Sequence, residues 1–309
     1  MVKISLEEAV NVGSPITYEE VKKYGAGVEL TAGYSPSREH FEAFADLTGD
    51  KNDDFHKGEQ SIAPGFLQTS VAVLLIKKAM RAVDVLPLDY PFSLDHAELP
   101  GFVLPSGDYT FNVEFHLGER RTASAKLKDA EGNVVYSLER FMYEEKPADF
   151  SPNLDDVKYL CDEEFVLGDG ADTPTFGRLI GSKSSESNLY AMSGTSSIVF
   201  SALDKGVLKP VSPMKAFYYS QSVVSDASKS LDLKDGIKLE LYLSDWEKFG
   251  KKTFGDEVVD MKILAKDHDG RFICLSYSPL KFKKFKKERF FKLLNKATSN
   301  FVRGFSKSV

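Results

Sequence analysis

Two stretches of the chain show the same order of hydrophobic and polar positions. In residues 91–145, apolar and polar residues alternate through YTFNVEF and VVYSLERFMY, with DAEGN between them. This alternation is typical of half-buried β-strands joined by a hairpin turn. In residues 216–282, DGIKLELYL stands in the place of GDYTFNVEF and DHDGR in the place of DAEGN. We interpret the two stretches as a tandem structural repeat.

A helix is predicted ahead of each strand stretch. Residues 63–80, APGFLQTSVAVLLIKKAM, are apolar on nearly every side, which predicts a buried helix. Residues 187–205, SNLYAMSGTSSIVFSALDK, predict a second helix, although Ser, Thr and Gly lower its propensity. The order of a long helix followed by antiparallel strands occurs twice in the chain. It predicts two sheets, each wrapped round a helix. The linker is expected at 146–156, where Pro, Asp and Asn interrupt both patterns.

Composition narrows the class of protein. A length of 309 residues with 42% hydrophobic residues is enough for two packed cores. The two cysteines, Cys161 and Cys274, are too few for a disulfide framework or a thiolate metal site. MVKISLEEAV lacks the apolar stretch of a signal peptide, and the longest aliphatic run, VAVLLI, is too short to span a bilayer. We therefore expect a cytoplasmic protein.

Charge is distributed unevenly. The formal net charge is −6, yet residues 281–309 contain ten Lys or Arg and one acid, Glu288. In this segment Phe290, Leu294, Phe301 and Phe305 follow a helical spacing beneath a basic face. Such a helix suits an anionic membrane surface, an acidic carrier protein or the acidic body of the chain itself. Nucleic acid is not expected, because the acidic body would repel it.

Candidate chemistry is concentrated in TGDKNDDFHKGEQSIAPGFLQ, residues 48–68. His56 is a natural proton carrier, because an imidazole titrates near neutrality. The predicted buried helix begins just after Pro64. Its first N–H groups have no intrahelical partner, so the Gly65 amide could hold a developing oxyanion. No histidine and acid pair has metal-ligand spacing, so no metal is expected.

This stretch and segments near it resemble two known families of enzymes. FEAFADLTGDKN, residues 41–52, resembles the approach to the active site of MaoC-like (R)-specific enoyl-thioester hydratases, and LPSGDYTFNVEF resembles their Pro, Gly-Asp and strand. Those enzymes use an Asp and a His five positions apart with an Asn between, which here implies Asp50, Asn52 and His56. In this chain the separation is six, and Asp53 replaces the usual proline.

The second resemblance is to the 3-hydroxyacyl-carrier-protein dehydratases of bacterial fatty-acid synthesis. Their catalytic histidine precedes a Pro-Gly by the spacing that separates His56 from Pro64 and Gly65, where the MaoC pattern has Ala-His-Gly. Their acidic residue on the following helix is matched by Ser70. Both resemblances therefore support His56, and only the first supports Asp50. Asp53 and Asp54 remain alternatives as the acid.

These resemblances, which cover about residues 25–282, imply an α+β double hotdog in which two repeats replace the usual dimer. The expected parts are an N-terminal hotdog with the active site in 1–150, a degenerate hotdog in 151–282 and a basic amphipathic tail in 283–309. Such a chain would be a monomer or a homodimer of double hotdogs. The second repeat offers only hydroxyls and one amide, in SNLYAMSGTSS, where the first has its cluster.

The expected function is a hydro-lyase that interconverts 3-hydroxyacyl and trans-2-enoyl thioesters. The substrate would be carried on coenzyme A or acyl carrier protein, with no metal or redox cofactor. His56 and Asp50 would be catalytic, and Asn52, Gly65 and Ser70 would bind substrate in an acyl tunnel beside the helix. The alternatives are a non-catalytic acyl-thioester or lipid-binding protein and a hotdog acyl thioesterase.

Overall fold

The chain folds into two similar halves. The computed structural model describes residues 2–3, 14–51, 53–58, 61–83, 92–118, 121–143, 152–165, 172–182, 186–207, 214–218, 220–225, 236–244 and 258–284. The first half comprises β1 Val2–Lys3, β2 Ile16–Tyr24, β3 Gly27–Tyr34, α1 Arg38–Thr48, α2 Asp53–His56, α3 Gly65–Arg81, β4 Phe92–Glu98, β5 Tyr109–Leu117, β6 Arg121–Lys128 and β7 Val134–Tyr143.

The second half follows the order of the first from β3 onward, with an additional short strand. It comprises β8 Lys158–Phe165, α4 Asp172–Ile180, α5 Ser187–Ser193, a 3₁₀ turn Gly194–Ser196, α6 Ser197–Asp204, β9 Met214–Tyr218, β10 Ser220–Ser225, β11 Ile237–Leu243, β12 Val258–Lys266 and β13 Phe272–Lys284.

Strands of both halves join in one antiparallel sheet. Its order is β1-β2-β3-β5-β6-β7-β4-β10-β13-β12-β11-β8, with β9 paired to the end of β13. The halves meet where β4 pairs with β10, and outward from that junction the order is the same on both sides, so β8 is the counterpart of β3. The sheet therefore has pseudo-twofold symmetry, which confirms the tandem repeat.

Helix α3 forms the centre of the first half. Almost all of its side chains are buried, including the polar Gln68, Thr69 and Ser70. It packs against β3, β5, β6 and β7, whose inward residues alternate with more exposed ones, as along β5. A helix that buries every side has no amphipathic stripe, which is why its sequence is apolar throughout. The predicted helix over 63–80 is thus confirmed.

The central helix of the second half is interrupted. The predicted helix over 187–205 is present as α5 and α6 on either side of the 3₁₀ turn. Gly194, in that turn, packs so closely against the Phe165 ring that a Cβ there would lie 2.3 Å from its Cε1 atom. This close approach explains a glycine inside a buried helical segment.

The two central helices run antiparallel to each other. Ser70 Oγ on α3 lies 2.9 Å from Ser193 Oγ on α5, and Lys77 Nζ lies 3.0 Å from Glu186 Oε2 just before α5. Residue numbers therefore rise along one helix as they fall along the other. The buried Ser70–Ser193 hydrogen bond therefore joins the central helices of the two halves.

The α+β double hotdog expected from the sequence is the observed fold. The interval between β7 and β8 contains the predicted linker, whereas the boundary at residue 150 stays a prediction. Strand β13 continues to Lys284, two residues beyond the predicted end of the second hotdog, because β9 pairs with that end. The rest of the predicted basic tail, 285–309, lies outside the described residues. In the part of the chain that the structure describes, no helix is both long and apolar enough to cross a bilayer.

Candidate active site

Asp50 is positioned by the end of α1. Phe41, Phe44, Ala45 and Thr48 are buried on one face, which seats α1 on the body of the protein. Gly49 ends the helix in the left-handed region, at φ 67°, where glycine is favoured. The next amide, Asp50 N–H, donates to Ala45 O at 2.9 Å. This backbone closure turns the Asp50 side chain inward, and the residue is only 9% exposed.

His56 ends the short helix α2 and is buried at 6% exposure. Its Nδ1 atom lies 2.8 Å from the carbonyl oxygen of Ile62, and the Ile62 amide donates in turn to Phe55 O at 2.6 Å. These two hydrogen bonds fold the segment before α3 back over α2. They fix the plane and the rotation of the imidazole ring.

The two side chains meet directly. His56 Nε2 lies 3.3 Å from Asp50 Oδ2. A carbonyl oxygen can only accept, so His56 Nδ1 must donate to Ile62, and Nε2 is the atom that faces the carboxylate. Both ring nitrogens thus face acceptors. The contact with Asp50 is favourable when a proton lies between Nε2 and Oδ2, as in an imidazolium–carboxylate pair.

The pKa of His56 reflects this balance. Burial acts to lower it, but the hydrogen bond and the charge of Asp50, aided by the Ile62 carbonyl and the charge of Asp53, raise it above its ordinary value. Relative to an unperturbed histidine, the contact with Asp50 therefore favours the imidazolium form. A buried acid and a buried histidine in contact form a unit that can exchange a proton.

Helix α3 begins nine residues after His56 in the sequence. The carbonyl that orients His56 belongs to Ile62, three residues before Gly65, and Ala63 N–H donates to Val103 O at 2.9 Å. Pro64 precedes the helix with φ −59°, and Gly65 is its first residue. The Gly65 amide is therefore one of the helix N-terminal donors without an intrahelical acceptor, at the positive end of the helix dipole.

The other candidates are placed differently. Asp53, 63% exposed in its side chain, pairs with Lys57 at 3.1 Å, so the acid in contact with His56 is Asp50. Asn52 and the Asp54 side chain lie outside the described residues. Ser70 is fully buried and its Oγ lies 2.9 Å from Ser193 Oγ, and its role in binding substrate stays a prediction. No group of three potential metal ligands occurs among the described residues.

Sequence patterns did not predict the residues of the second half that support this site. Tyr190 OH donates to Leu47 O at 3.0 Å, Ser197 packs against Gly49, and Lys51 pairs with Asp204 at 2.7 Å. The partners are far apart in sequence and have no motif, so no local pattern could have indicated them.

Comparisons with known proteins support the fold. The structure is similar to a protein described as a MaoC domain dehydratase from Chloroflexus aurantiacus J-10-fl, with a TM-score of 0.54 and 8% identity over 85% of this chain and 97% of that one. It is also similar to a MaoC-like dehydratase, with a TM-score of 0.52 and 13% identity over 88% and 98% of the two chains. A MaoC-like dehydratase from Phytophthora capsici gives a TM-score of 0.50 and 12% identity, over 82% and 94%.

The sequence matches no protein-family model, and it has no match among the curated proteins. The similarity to MaoC-like dehydratases is therefore one of fold, over nearly the whole length of those chains.

Proposed function

We propose that this protein is a hydro-lyase that interconverts (3R)-3-hydroxyacyl and trans-2-enoyl thioesters. The observation that carries the proposal is the buried contact of 3.3 Å between His56 Nε2 and Asp50 Oδ2, a few residues before the start of a buried helix. The shared fold with MaoC-like dehydratases supports acyl-thioester chemistry in general. The pair itself supports the particular reaction, which needs one acid and one base.

In the hydration direction, Asp50 would accept a proton from water as the water oxygen bonds to C3 of the enoyl group. The π electrons of the C2–C3 double bond would then form the new C2–H bond with a proton from the His56 imidazolium. Negative charge that develops on the thioester oxygen would be stabilised by the Gly65 amide at the start of α3. Transfer of the proton from Asp50 to His56 across their contact restores the starting state.

Crotonyl-CoA and longer enoyl-CoAs test the proposal. We expect enoyl absorbance to fall without release of free thiol, and His56→Gln to reduce that rate about 10²- to 10⁴-fold, as loss of a general acid does. Thiol release in step with substrate loss would instead identify a thioesterase. Saturable binding with no loss of absorbance would identify a non-catalytic acyl-thioester-binding protein, and either result would contradict the proposal.

The carrier of the acyl group is a further part of the proposal. The same hydration assay on acyl-carrier-protein and CoA thioesters of equal chain length separates the two carriers by kcat/KM. A preference for the carrier protein that is lost on deletion of residues 285–309 would support the acidic carrier protein as the partner of the basic tail. An unchanged preference would exclude that role.

A further inference from the structure

The loop that carries Asp50 is supported by the second half of the molecule. Leu47 O belongs to the last turn of α1, whose carbonyls lack intrahelical donors. It accepts a hydrogen bond of 3.0 Å from Tyr190 OH on α5. Two residues further on, a Cβ at Gly49 would lie only 2.7 Å from the Cβ of Ser197, at the start of α6. Helices α5 and α6 therefore contact the chain just before Asp50, at Leu47 and at Gly49.

Tyr190 is itself rigidly held. It is 2% exposed, and its ring packs against Phe165 and Phe176 with centroid distances of 5.9 and 5.2 Å. Phe176 also packs against Phe44 of α1, at 5.6 Å. The aromatic cluster thus joins α1 to α4, α5 and β8. A side chain fixed in this way can set the position of the carbonyl it binds, since it has little rotational freedom of its own.

The position of that carbonyl bears directly on the proposed chemistry. Leu47 precedes Asp50 by three residues, and the Schellman-type closure from Asp50 N–H to Ala45 O transmits any shift of the last turn to the Asp50 backbone. The Asp50 carboxylate must stay within proton-transfer distance of His56 Nε2. A displacement of about 1 Å of a reacting group can reduce a rate roughly a hundredfold.

We infer that Tyr190 is a positioning residue for the Asp50–His56 pair, acting through its hydrogen bond to Leu47 O. The inference rests on the proposed function for its kinetic consequence. It assigns to the second half, which lacks an acid and histidine pair of its own among the described residues, a role in building the site of the first half.

Tyr190→Phe tests the inference, because it removes the hydroxyl and keeps the packed ring. Tyr277→Phe is the matched control, since Tyr277 OH donates to Asp260 Oδ1 at 2.7 Å in the same half, away from the Asp50 loop. For hydration of crotonyl-CoA we expect kcat to fall about tenfold to a hundredfold in Tyr190→Phe, with a smaller change in KM and no change in the control. Equal losses in both variants, or none in Tyr190→Phe, would overturn the inference.

A second readout does not depend on catalysis. The titration of His56, followed by NMR and assigned by its absence in His56→Gln, reports how closely the Asp50 carboxylate approaches the ring. Tyr190→Phe should lower the pKa of His56 toward its value in Asp50→Asn, whereas Tyr277→Phe should leave it unchanged. An unaltered His56 titration in Tyr190→Phe would overturn the inference. If the wild-type protein hydrates no enoyl thioester, the proposed function fails, and this titration still decides the role of Tyr190.

Discussion

Helix α1 of the first half and helix α4 of the second end in the same type of turn, which we call the corner. The residue that follows the glycine of each corner makes different contacts in the two halves. Gly49, at φ 67°, is followed by Asp50, whose amide donates to the carbonyl five residues earlier, and Gly181, at φ 88°, is followed by Ser182, whose amide does the same at 2.7 Å. Both corners are Schellman-type closures with glycine in the left-handed region. The repeat has kept the backbone and changed the side chain that follows the glycine.

That side chain decides the chemistry of each corner. Asp50 faces His56, whereas Ser182 Oγ donates to Glu186 Oε1 at 2.9 Å, and the other oxygen of Glu186 accepts from Lys77 Nζ at 3.0 Å. Lys77 belongs to α3 of the first half, so the second corner ties the two halves together. Both halves therefore have a corner with the same backbone closure. Among the described residues, only the first corner has a buried acid in contact with a histidine, which makes it the candidate for catalysis.

The largest expected effects come from replacing either of the two reacting groups. Asp50→Asn and His56→Gln should each lower kcat/KM for crotonyl-CoA about 10²- to 10⁴-fold. If the two side chains act as one proton-transfer unit, the double variant should be little slower than the slower single variant. The measurement is a double-mutant cycle of hydration rates for the wild type, the two single variants and the double variant. Losses that multiply in the double variant would show that the residues act independently.

The two glycines provide the next comparison. Alanine is strained by about 1–2 kcal/mol in the left-handed region, so Gly49→Ala and Gly181→Ala should both reduce the free energy of unfolding. The new Cβ would lie 2.7 Å from Ser197 Cβ in the first case. In the second it would lie 2.7 Å from Ile16 Cδ1 and 2.9 Å from Ser14 Oγ, which are side-chain ends and not atoms next to the backbone. Gly49→Ala should therefore cost more stability.

The kcat for hydration should differ more between Gly49→Ala and Gly181→Ala than their stability does. Gly49→Ala should lower kcat for hydration, because it displaces Asp50, and Gly181→Ala should leave kcat unchanged. Urea unfolding and initial rates measured on the same preparations check both statements. A comparable loss of kcat in Gly181→Ala would contradict the assignment of catalysis to the first corner alone.

The smallest effect concerns the pH dependence of stability. Because the pKa of His56 is raised in the folded protein, the Asp50–His56 interaction contributes stability that is fully present below the ordinary histidine pKa of about 6.5. This contribution is lost as the pH rises through the raised folded value. The free-energy difference between wild type and Asp50→Asn should therefore shrink above that value. Ser182→Ala, which touches no such pair, should follow the wild-type pH profile, and a constant difference for Asp50→Asn would contradict the coupling.

Local patterns in the sequence predicted much of this molecule. The all-apolar helix at α3, the alternating strands and the two turn sequences were enough to predict the tandem repeat, because each is a property of neighbouring residues. His56, Asp50 and Gly65 were indicated by family resemblance within one short stretch. The structure then distinguished Asp50 from Asp53, since only the direction of the side chain after Gly49 does so.

Contacts between the halves could not be predicted in this way. Tyr190 lies 143 residues from Leu47, and its hydroxyl binds a main-chain carbonyl, which any residue at that position would offer. Ser70 matched an acidic position of the dehydratases in sequence, yet it pairs with Ser193 between the two helices. The interruption at Gly194 depends on how Phe165 packs. Each of these features arises from tertiary packing.

The most direct measurement is the rate of crotonyl-CoA hydration by Asp50→Asn beside that of Ser182→Ala, two substitutions at equivalent corners of one fold. The proposed mechanism predicts that Asp50→Asn loses about 10²- to 10⁴-fold in kcat/KM while Ser182→Ala retains the wild-type rate, with no thiol released by any of the proteins. Equal rates for the two variants, or a wild-type protein that does not hydrate the enoyl thioester, would contradict it.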